Sequence, residues 1–163
     1  MFHKSILAAA VALTAGAASA DTMFTVANTF QDPQMTGGNE ISTIAFSADV
    51  YANQAATVSA DVEIPNFVNF YEIDVAEDMS TLTMTVSDMA KPANNPMPPE
   101  RFDRYYYTFT GAGPASANID ADASTAAIAD GATATVTTTG RLVVAFGEGA
   151  DFTPGNKVVI NLQ

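Results

Sequence analysis

Residues 81–88, TLTMTVSD, indicate the fold class, because apolar and polar side chains alternate along the whole stretch up to Ser87. Leu82, Met84 and Val86 fall on one face of an extended chain, and the intervening threonines fall on the other. A period of two residues is typical of a β-strand that has one side in a core and the other in solvent. We therefore predict a strand here, with its threonines on the solvated face.

The same alternation recurs along most of the chain from Met23 onward. It predicts further strands at residues 23–28, 42–51, 57–64, 66–75, 105–111, 132–139, 141–147 and 157–162. Turn-forming residues separate these stretches, among them Gly37-Gly38, Ile64-Pro65-Asn66 and Pro154-Gly155. About nine short strands at this spacing predict an all-β fold, an antiparallel β-sandwich of the immunoglobulin-like or jelly-roll-like kind. A closed barrel is the alternative that this pattern leaves open.

Helix is expected at most once. In DASTAAIADG, residues 122–131, Ser124 is placed to cap a turn of alanines and Gly131 is placed to end it. The same residues also suit a loop. We therefore expect at most one short helix, near residues 122–130.

The first twenty residues, MFHKSILAAAVALTAGAASA, have the three parts of a cleavable secretory signal. Lys4 supplies a basic start, an apolar run follows, and Ala-Ser-Ala at 18–20 is a small-residue cleavage motif. The apolar run is shorter than the roughly 20 residues that a membrane-spanning helix needs. We predict a signal peptide over 1–20, a single domain over 21–163, and a secreted protein located in a periplasm, at a cell surface or outside the cell.

The composition excludes several kinds of chemistry. The chain has no cysteine and one histidine, His3, which signal cleavage would remove. The mature chain would then lack the two commonest zinc ligands and the usual base at neutral pH. Ser-His-Asp, Cys-His and histidine-ligated metal sites are therefore excluded, and we expect a non-enzymatic protein without a cofactor.

The charge balance narrows the choice of partners. Six Lys and Arg against eighteen Asp and Glu give a net charge of −12, or −13 once Lys4 is removed with the signal. A charge of this sign repels phosphate backbones and anionic membrane surfaces, so we expect no nucleic-acid partner. No later apolar run approaches spanning length, so we also expect no membrane span after cleavage.

One segment of this acidic chain is basic. Residues 89–109 contain four of the eight prolines and three of the six basic side chains, Lys91, Arg101 and Arg104. Proline has no amide donor, so residues 90–100 are expected to run extended over the surface rather than inside a sheet. We name the three basic residues as candidates for binding a second copy of the chain or an anionic extracellular glycan. The alternative is that they pair locally with neighbouring carboxylates.

A second candidate site lies just before the helix candidate. Asn118, Asp120, Asp122 and Ser124 have the every-other spacing of calcium ligands, but the glycine and the closing carboxylate of an EF-hand are missing. A looser calcium site near Asp120 and Asp122 therefore stays an alternative to an ordinary capped loop.

Two rows of threonines, at 81–85 and 133–139, place hydroxyl and methyl groups on one face of a strand. Such rows can lie against ice or a polysaccharide, but threonine is also common on any half-exposed strand. With two rows and no repeat to stack them, we favour a solvated face.

These features indicate a protein that makes contacts rather than one that turns over a substrate. Alternation is present near both ends of residues 21–163, so both terminal stretches are expected to be strands that close the domain's own sheets or pair with a neighbouring chain. We predict an exported structural or adhesive protein that self-associates by strand pairing. The alternatives are a monomeric carbohydrate- or calcium-binding module and, as a third class, a hydrolase that uses two carboxylates.

Overall fold

The computed structural model describes residues 22–31, 43–44, 54–90, 96 and 102–163. Strands account for most of the regular structure in this part of the chain, and they form two antiparallel sheets, which confirms the predicted all-β sandwich. The elements are β1 (Met23–Gln31), β2 (Thr43–Ile44), β3 (Gln54–Thr57), β4 (Ile64–Phe67), β5 (Tyr71–Val75), β6 (Thr81–Val86), β7 (Phe102–Phe109), β8 (Ala117–Ile119), α1 (Ala126–Ala129), β9 (Ala132–Val136), β10 (Leu142–Phe146) and β11 (Lys157–Leu162).

Both sheets are built from strands that are distant in the chain. One sheet has the order β2-β1-β7-β10-β9, and β3 pairs with the same edge of β1 as β2 does. The other sheet has the order β4-β5-β6-β11-β8. The first strand and the last strand therefore each lie between two neighbours, inside their sheets.

The apolar faces of the two sheets pack against each other. Strand β6 buries Leu82, Met84 and Val86 and leaves its threonines half-exposed, as the alternation predicts. Across the core, Tyr71 of β5 packs edge-on against Tyr105 of β7, with 5.1 Å between ring centroids, and stacks on Phe146 of β10 at 5.7 Å. Buried aromatic rings contribute large apolar areas, so these contacts hold the two sheets together.

One side of the sandwich is closed. The outermost strands β8 and β9 lie alongside each other there, although they belong to different sheets. The helix α1 joins them, and Ile128 within it is fully buried. Just after the helix, Gly131 lies so near Ala150 that a Cβ atom would come within 2.6 Å of the Ala150 backbone nitrogen.

The short helix predicted near residues 122–130 is confirmed, but its cap is not. Thr125 is the N-cap residue, and its side chain makes no capping hydrogen bond. The hydroxyl oxygen of Ser124 instead accepts a hydrogen bond from the backbone N–H of Val159, at 2.8 Å. With four residues, α1 is far too short to cross a membrane, and no other helix in the described ranges could do so.

The prediction of one strand over 66–75 is wrong, because the chain reverses in the middle of it. Val68 and Asn69 have positive φ angles of 52° and 57°, and the N–H of Phe70 donates to the carbonyl of Phe67 at 2.9 Å. Positive φ at both central residues is the pattern of a type I′ turn, and this turn joins β4 to β5. A β-branched valine rarely adopts such an angle, so its presence gave no sign of a turn.

Residues 64–66 are also not the turn that Pro65 suggested. They belong to β4, where the register with β5 shifts and where Pro65 is exposed on an outer strand of its sheet. Proline is tolerated at such a place because its missing amide interrupts no ladder.

The prediction of a strand over 57–64 is wrong for residues 58–63. The N–H of Ser59 donates to Oε1 of Glu63 at 2.8 Å, and the N–H of Asp61 donates to the hydroxyl of Ser59 at 3.2 Å. Local side-chain hydrogen bonds of this kind compete with a strand ladder. The predicted strand at 42–51 is described only at 43–44, and the predicted signal peptide and the Gly37-Gly38 turn lie outside the described residues.

The close approach beside α1 gives a stability prediction. Replacing Gly131 with alanine forces a Cβ against backbone, so we expect Gly131→Ala to lower the free energy of unfolding by about 1–3 kcal/mol. Urea unfolding measures this change. Gly113→Ala is the matched control, since its Cβ would meet its nearest neighbour at 3.4 Å. Equal effects of the two substitutions would contradict the packing described for the closed side.

Candidate functional site

The terminal strands are occupied within the domain. Strand β1 pairs with β7 on one edge and with β2 and β3 on the other, and β11 pairs with β6 and β8. The backbone carbonyl of Gln163 also accepts hydrogen bonds from the N–H groups of Ala115 and Ser116, at 2.6 and 2.9 Å. Of the two roles expected for these stretches, the structure assigns them the closing of the domain's own sheets.

Among the described residues, the edge of β3 that faces away from β1 has no partner strand; we call it the free edge, and it lies on the side of the sandwich opposite β8 and β9. In its ladder with β1, Ala56 lies opposite Phe24, and the N–H of Val58 donates to the carbonyl of Thr22 at 2.8 Å in the same register. Alternate residues of an antiparallel strand bond to alternate sides. The backbone groups of Ala55 and Thr57 therefore point away from β1, and within the described ranges no second strand pairs with β3.

A shallow groove of about 330 Å³ lies between β3 and β4. Its lining residues are Gln54, Ala55, Glu63, Ile64, Pro65 and Asn66. Strand β4 is a poor template for pairing, because it contains a proline and its register shifts along the strand. The other wall is the free edge of β3, so β3 is the side of the groove that can receive an extended chain.

Glu63 is the carboxylate of this groove, and protein groups bind both of its oxygens. Oε1 accepts the N–H of Ser59 at 2.8 Å, and Oε2 accepts the N–H of Val75 at 2.7 Å. The side chain thus ties the loop before β4 to β5. A carboxylate-based hydrolase needs two acids that face one bond, and the residues lining this groove include one acid, which is engaged in the fold.

A second polar cluster lies inside the core, where Asp103 is 9% exposed and Asn28 is 8% exposed. The side-chain N–H of Asn28 donates to Oδ1 of Asp103, and the hydroxyl of Tyr105 donates to Oδ2 at 2.5 Å. Burial raises the pKa of Asp103 from 3.8 to about 6, although both hydrogen bonds favour the ionised form. The desolvation of the carboxylate therefore outweighs its hydrogen bonds.

Three buried tyrosines surround this carboxylate. Burial raises the pKa of Tyr71, Tyr105 and Tyr107 well above the ordinary value of 10, and the negative charge of Asp103 adds to the effect. Among the described residues, the hydroxyls of Tyr71 and Tyr107 have no hydrogen-bond partner. Tyr71 and Tyr105 each affect the pKa of the other. Their hydroxyls do not meet hydrogen-bond geometry, so among the described residues the Tyr71 hydroxyl is unpaired.

Of the three basic residues predicted to bind a partner, only Arg104 lies among the described residues. Arg104 lies on the outer face of its sheet, half-exposed, opposite Thr29 of β1 and Ala145 of β10. Lys91 and Arg101 lie outside the described residues. A partner-binding role for the three therefore stays a prediction.

Asp120 serves as a hydrogen-bond acceptor for its own loop. Oδ1 accepts the N–H groups of Asp122 and Ala123 at 3.1 and 3.0 Å, and Oδ2 accepts an N–H of Asn161 at 3.2 Å. These bonds lower the pKa of Asp120, and the bond from the N–H of Ala123 has the largest effect. In the part of the chain that the structure describes, no three acidic or histidine side chains come close enough to hold a metal ion.

The two threonine rows lie on opposite outer faces of the sandwich. Thr81, Thr83 and Thr85 belong to β6 in one sheet, and Thr133 and Thr135 belong to β9 in the other. They form no common array, which agrees with the solvated-face interpretation.

Sequence reasoning missed both the free edge and the buried carboxylate. The edge was missed because the sequence predicted a strand over 57–64, whereas β3 covers Gln54–Thr57. Which strands become neighbours also cannot be deduced from local pattern. The burial of Asp103 could have been predicted, because it lies two residues before Tyr105 and so falls on the same inward face of the strand. Comparisons with protein-family models, with curated proteins and with solved structures find no match for this chain.

The Asp120 loop gives a prediction about calcium. Because protein N–H groups already bind both carboxylate oxygens, we expect calcium and EDTA to give the same midpoint of thermal unfolding. Differential scanning calorimetry measures it. A midpoint that rises with calcium in the native protein, and not in Asp120→Ala, would contradict this interpretation and restore the calcium-site alternative.

Proposed function

We propose that this protein is an exported structural or adhesive β-sandwich that self-associates through strand pairing at the free edge of β3. The observation that carries the proposal is the pair of residues, Ala55 and Thr57, whose backbone groups point away from β1. An exposed strand edge is a template for a further strand, with backbone hydrogen bonds supplying affinity. Export rests on the signal-like character of residues 1–20.

A second copy of β3 fits this edge in an antiparallel ladder centred on Ala56. In that register Ala55 of one copy lies opposite Thr57 of the other, and each pair exchanges two backbone hydrogen bonds, about four in all. The arrangement has a two-fold axis, as most homodimers do. A terminal strand is not needed, because β1 and β11 are occupied.

The charge of the edge also favours a second copy as the partner. Residues 54–60, QAATVSA, carry no charge in a chain whose net charge is −12. Two copies can therefore approach along β3 without placing carboxylates directly against each other. The side chains in the ladder are small, so they allow two backbones to come close.

The use of carboxylates inside the fold supports a contact role over catalysis. Glu63 binds two loop amides, Asp120 binds its own loop and Asn161, and Asp103 binds two side chains within the core. Each of these acids orders the structure through its side-chain oxygens, although Glu63 and Asp120 remain half-exposed. This pattern is typical of a scaffold.

The carbohydrate-binding alternative has one specific observation in its favour, which is the half-exposed ring of Tyr106 on the outer face of β7. Aromatic rings on flat faces are common platforms for sugars. The guanidinium of Arg141 lies over that ring, 5.9 Å from its centroid, and competes for the face a sugar would use. Strand pairing is therefore the better-supported function.

Ala55→Pro tests the pairing edge. The amide it removes does not bond to β1, so the fold is expected to survive while one intermolecular hydrogen bond per strand is lost and the ring blocks close approach. We expect the purified protein to dimerise on concentration and the variant to dimerise at least about tenfold more weakly, because about two hydrogen bonds are lost. Size-exclusion chromatography with light scattering measures this.

The matched control is Ala55→Thr, which keeps the amide and favours a strand. It should dimerise as the native chain does. A native protein that stays monomeric at high concentration, or an Ala55→Pro variant that dimerises equally well, would overturn the proposal.

A further inference from the structure

The carboxyl of Asp103 is a titratable group on the side of β7 that faces the core. Tyr105, Tyr107 and Phe109 occupy the next three inward positions of the same strand, and all are buried. Asp103 lies opposite Phe146 in the β7–β10 ladder. A charge in such surroundings is costly unless it is paired, so this carboxyl is the part of the described core most sensitive to protonation.

The described groups that face Asp103 are neutral. From β1 comes the amide of Asn28, from β7 the hydroxyls of Tyr105 and Tyr107, and from β5 the hydroxyl of Tyr71. From β10 comes the apolar ring of Phe146. Among the described residues, hydrogen bonds and not a cation offset the burial. Arg104, next in the chain, belongs to the opposite, outer face of the sheet.

We propose that Asp103 makes the stability of the sandwich respond to pH, with mild acid strengthening the junction between β1 and β7. A proton on the carboxyl removes the cost of a buried charge and leaves the other oxygen to accept from Asn28. The new acid O–H donates to the oxygen of Tyr105.

The direction of the effect follows from the two states of Asp103. Its pKa is about 6 in the folded protein against 3.8 ordinarily, so between these values the folded state holds more protons than the unfolded state. The extra stability is complete below pH 3.8, declines as the pH rises, and is lost above about pH 6. A difference of about two pKa units changes the unfolding equilibrium constant roughly 100-fold.

Other carboxylates act in the opposite direction. Hydrogen bonds lower the pKa of Asp78 and of Asp120, so each stabilises the fold above its ordinary pKa and loses that contribution as the pH falls. The Asp103 effect must therefore be isolated as a difference between variants rather than from one pH profile.

The contribution of Asp103 to the pH dependence is isolated by urea unfolding of the native protein and of Asp103→Asn from pH 4 to pH 8. We expect the ratio of their unfolding equilibrium constants to change roughly 100-fold across this range, with the variant gaining relative stability as the pH rises. Asp61→Asn, at an exposed position, is the control and should run parallel to the native protein. A parallel profile for Asp103→Asn would overturn the proposal.

A measurement on the native protein covers the case in which Asp103→Asn fails to fold. The side-chain carboxyl carbon of Asp103, followed by NMR as the pH is changed, should titrate near pH 6. The signals of Asn28 and Tyr105 should shift with the same midpoint, since both bond to the carboxyl. A carboxyl midpoint near or below the ordinary 3.8 would overturn the proposal.

Discussion

The contact between Tyr71 and Tyr105 joins the two sheets inside the core, and much of the structure depends on it. The rings of Phe67, Phe146 and Phe152 pack around this pair, so an aromatic cluster fills the end of the sandwich where β4, β5, β7 and β10 meet. The chain has no cysteine, so packing of this kind and not disulfides holds the core together. Because Asp103 shares a strand face with Tyr105, the same packing removes its carboxyl from water. The strength of the core and its sensitivity to protonation therefore have a common origin.

The arrangement of the described strands leaves an unpaired edge on one side of the molecule. Strands β8 and β9, with α1 between them in the chain, close one flank, and the first and last strands lie inside their sheets. The opposite flank has β4, which carries Pro65 and an irregular register, and β3, which carries neither. Natural sheets commonly protect their edges with prolines, charges and bulges. An edge without these features is a place where pairing with another chain costs little.

Local pattern predicted the strands whose two faces have different surroundings. Strands β6 and β11 begin and end close to the predicted bounds. Strand β6 buries every second residue, and β11 buries Val158, Ile160 and Leu162 on one face and Val159 on the other. Pattern failed where a local interaction outweighed it. The chain reverses at Val68, although a β-branched residue rarely adopts a positive φ. Hydrogen bonds to the Glu63 carboxylate stabilise a loop over 58–63 in place of the predicted strand. The free edge of β3 depends on which strands become neighbours, and no short window of sequence contains that information. The inward position of Asp103 could be predicted from the alternation, but its pKa depends on how deeply the packed sheets bury it and on Asn28 from β1.

Amide hydrogen exchange in β3, measured at low and at high protein concentration, tests most directly whether this molecule works by edge contact. Ala56 bonds to β1 and should be protected at both concentrations, whereas Ala55 and Thr57 should exchange quickly when dilute and become protected when concentrated. Equal and rapid exchange of Ala55 and Thr57 at both concentrations would contradict the account.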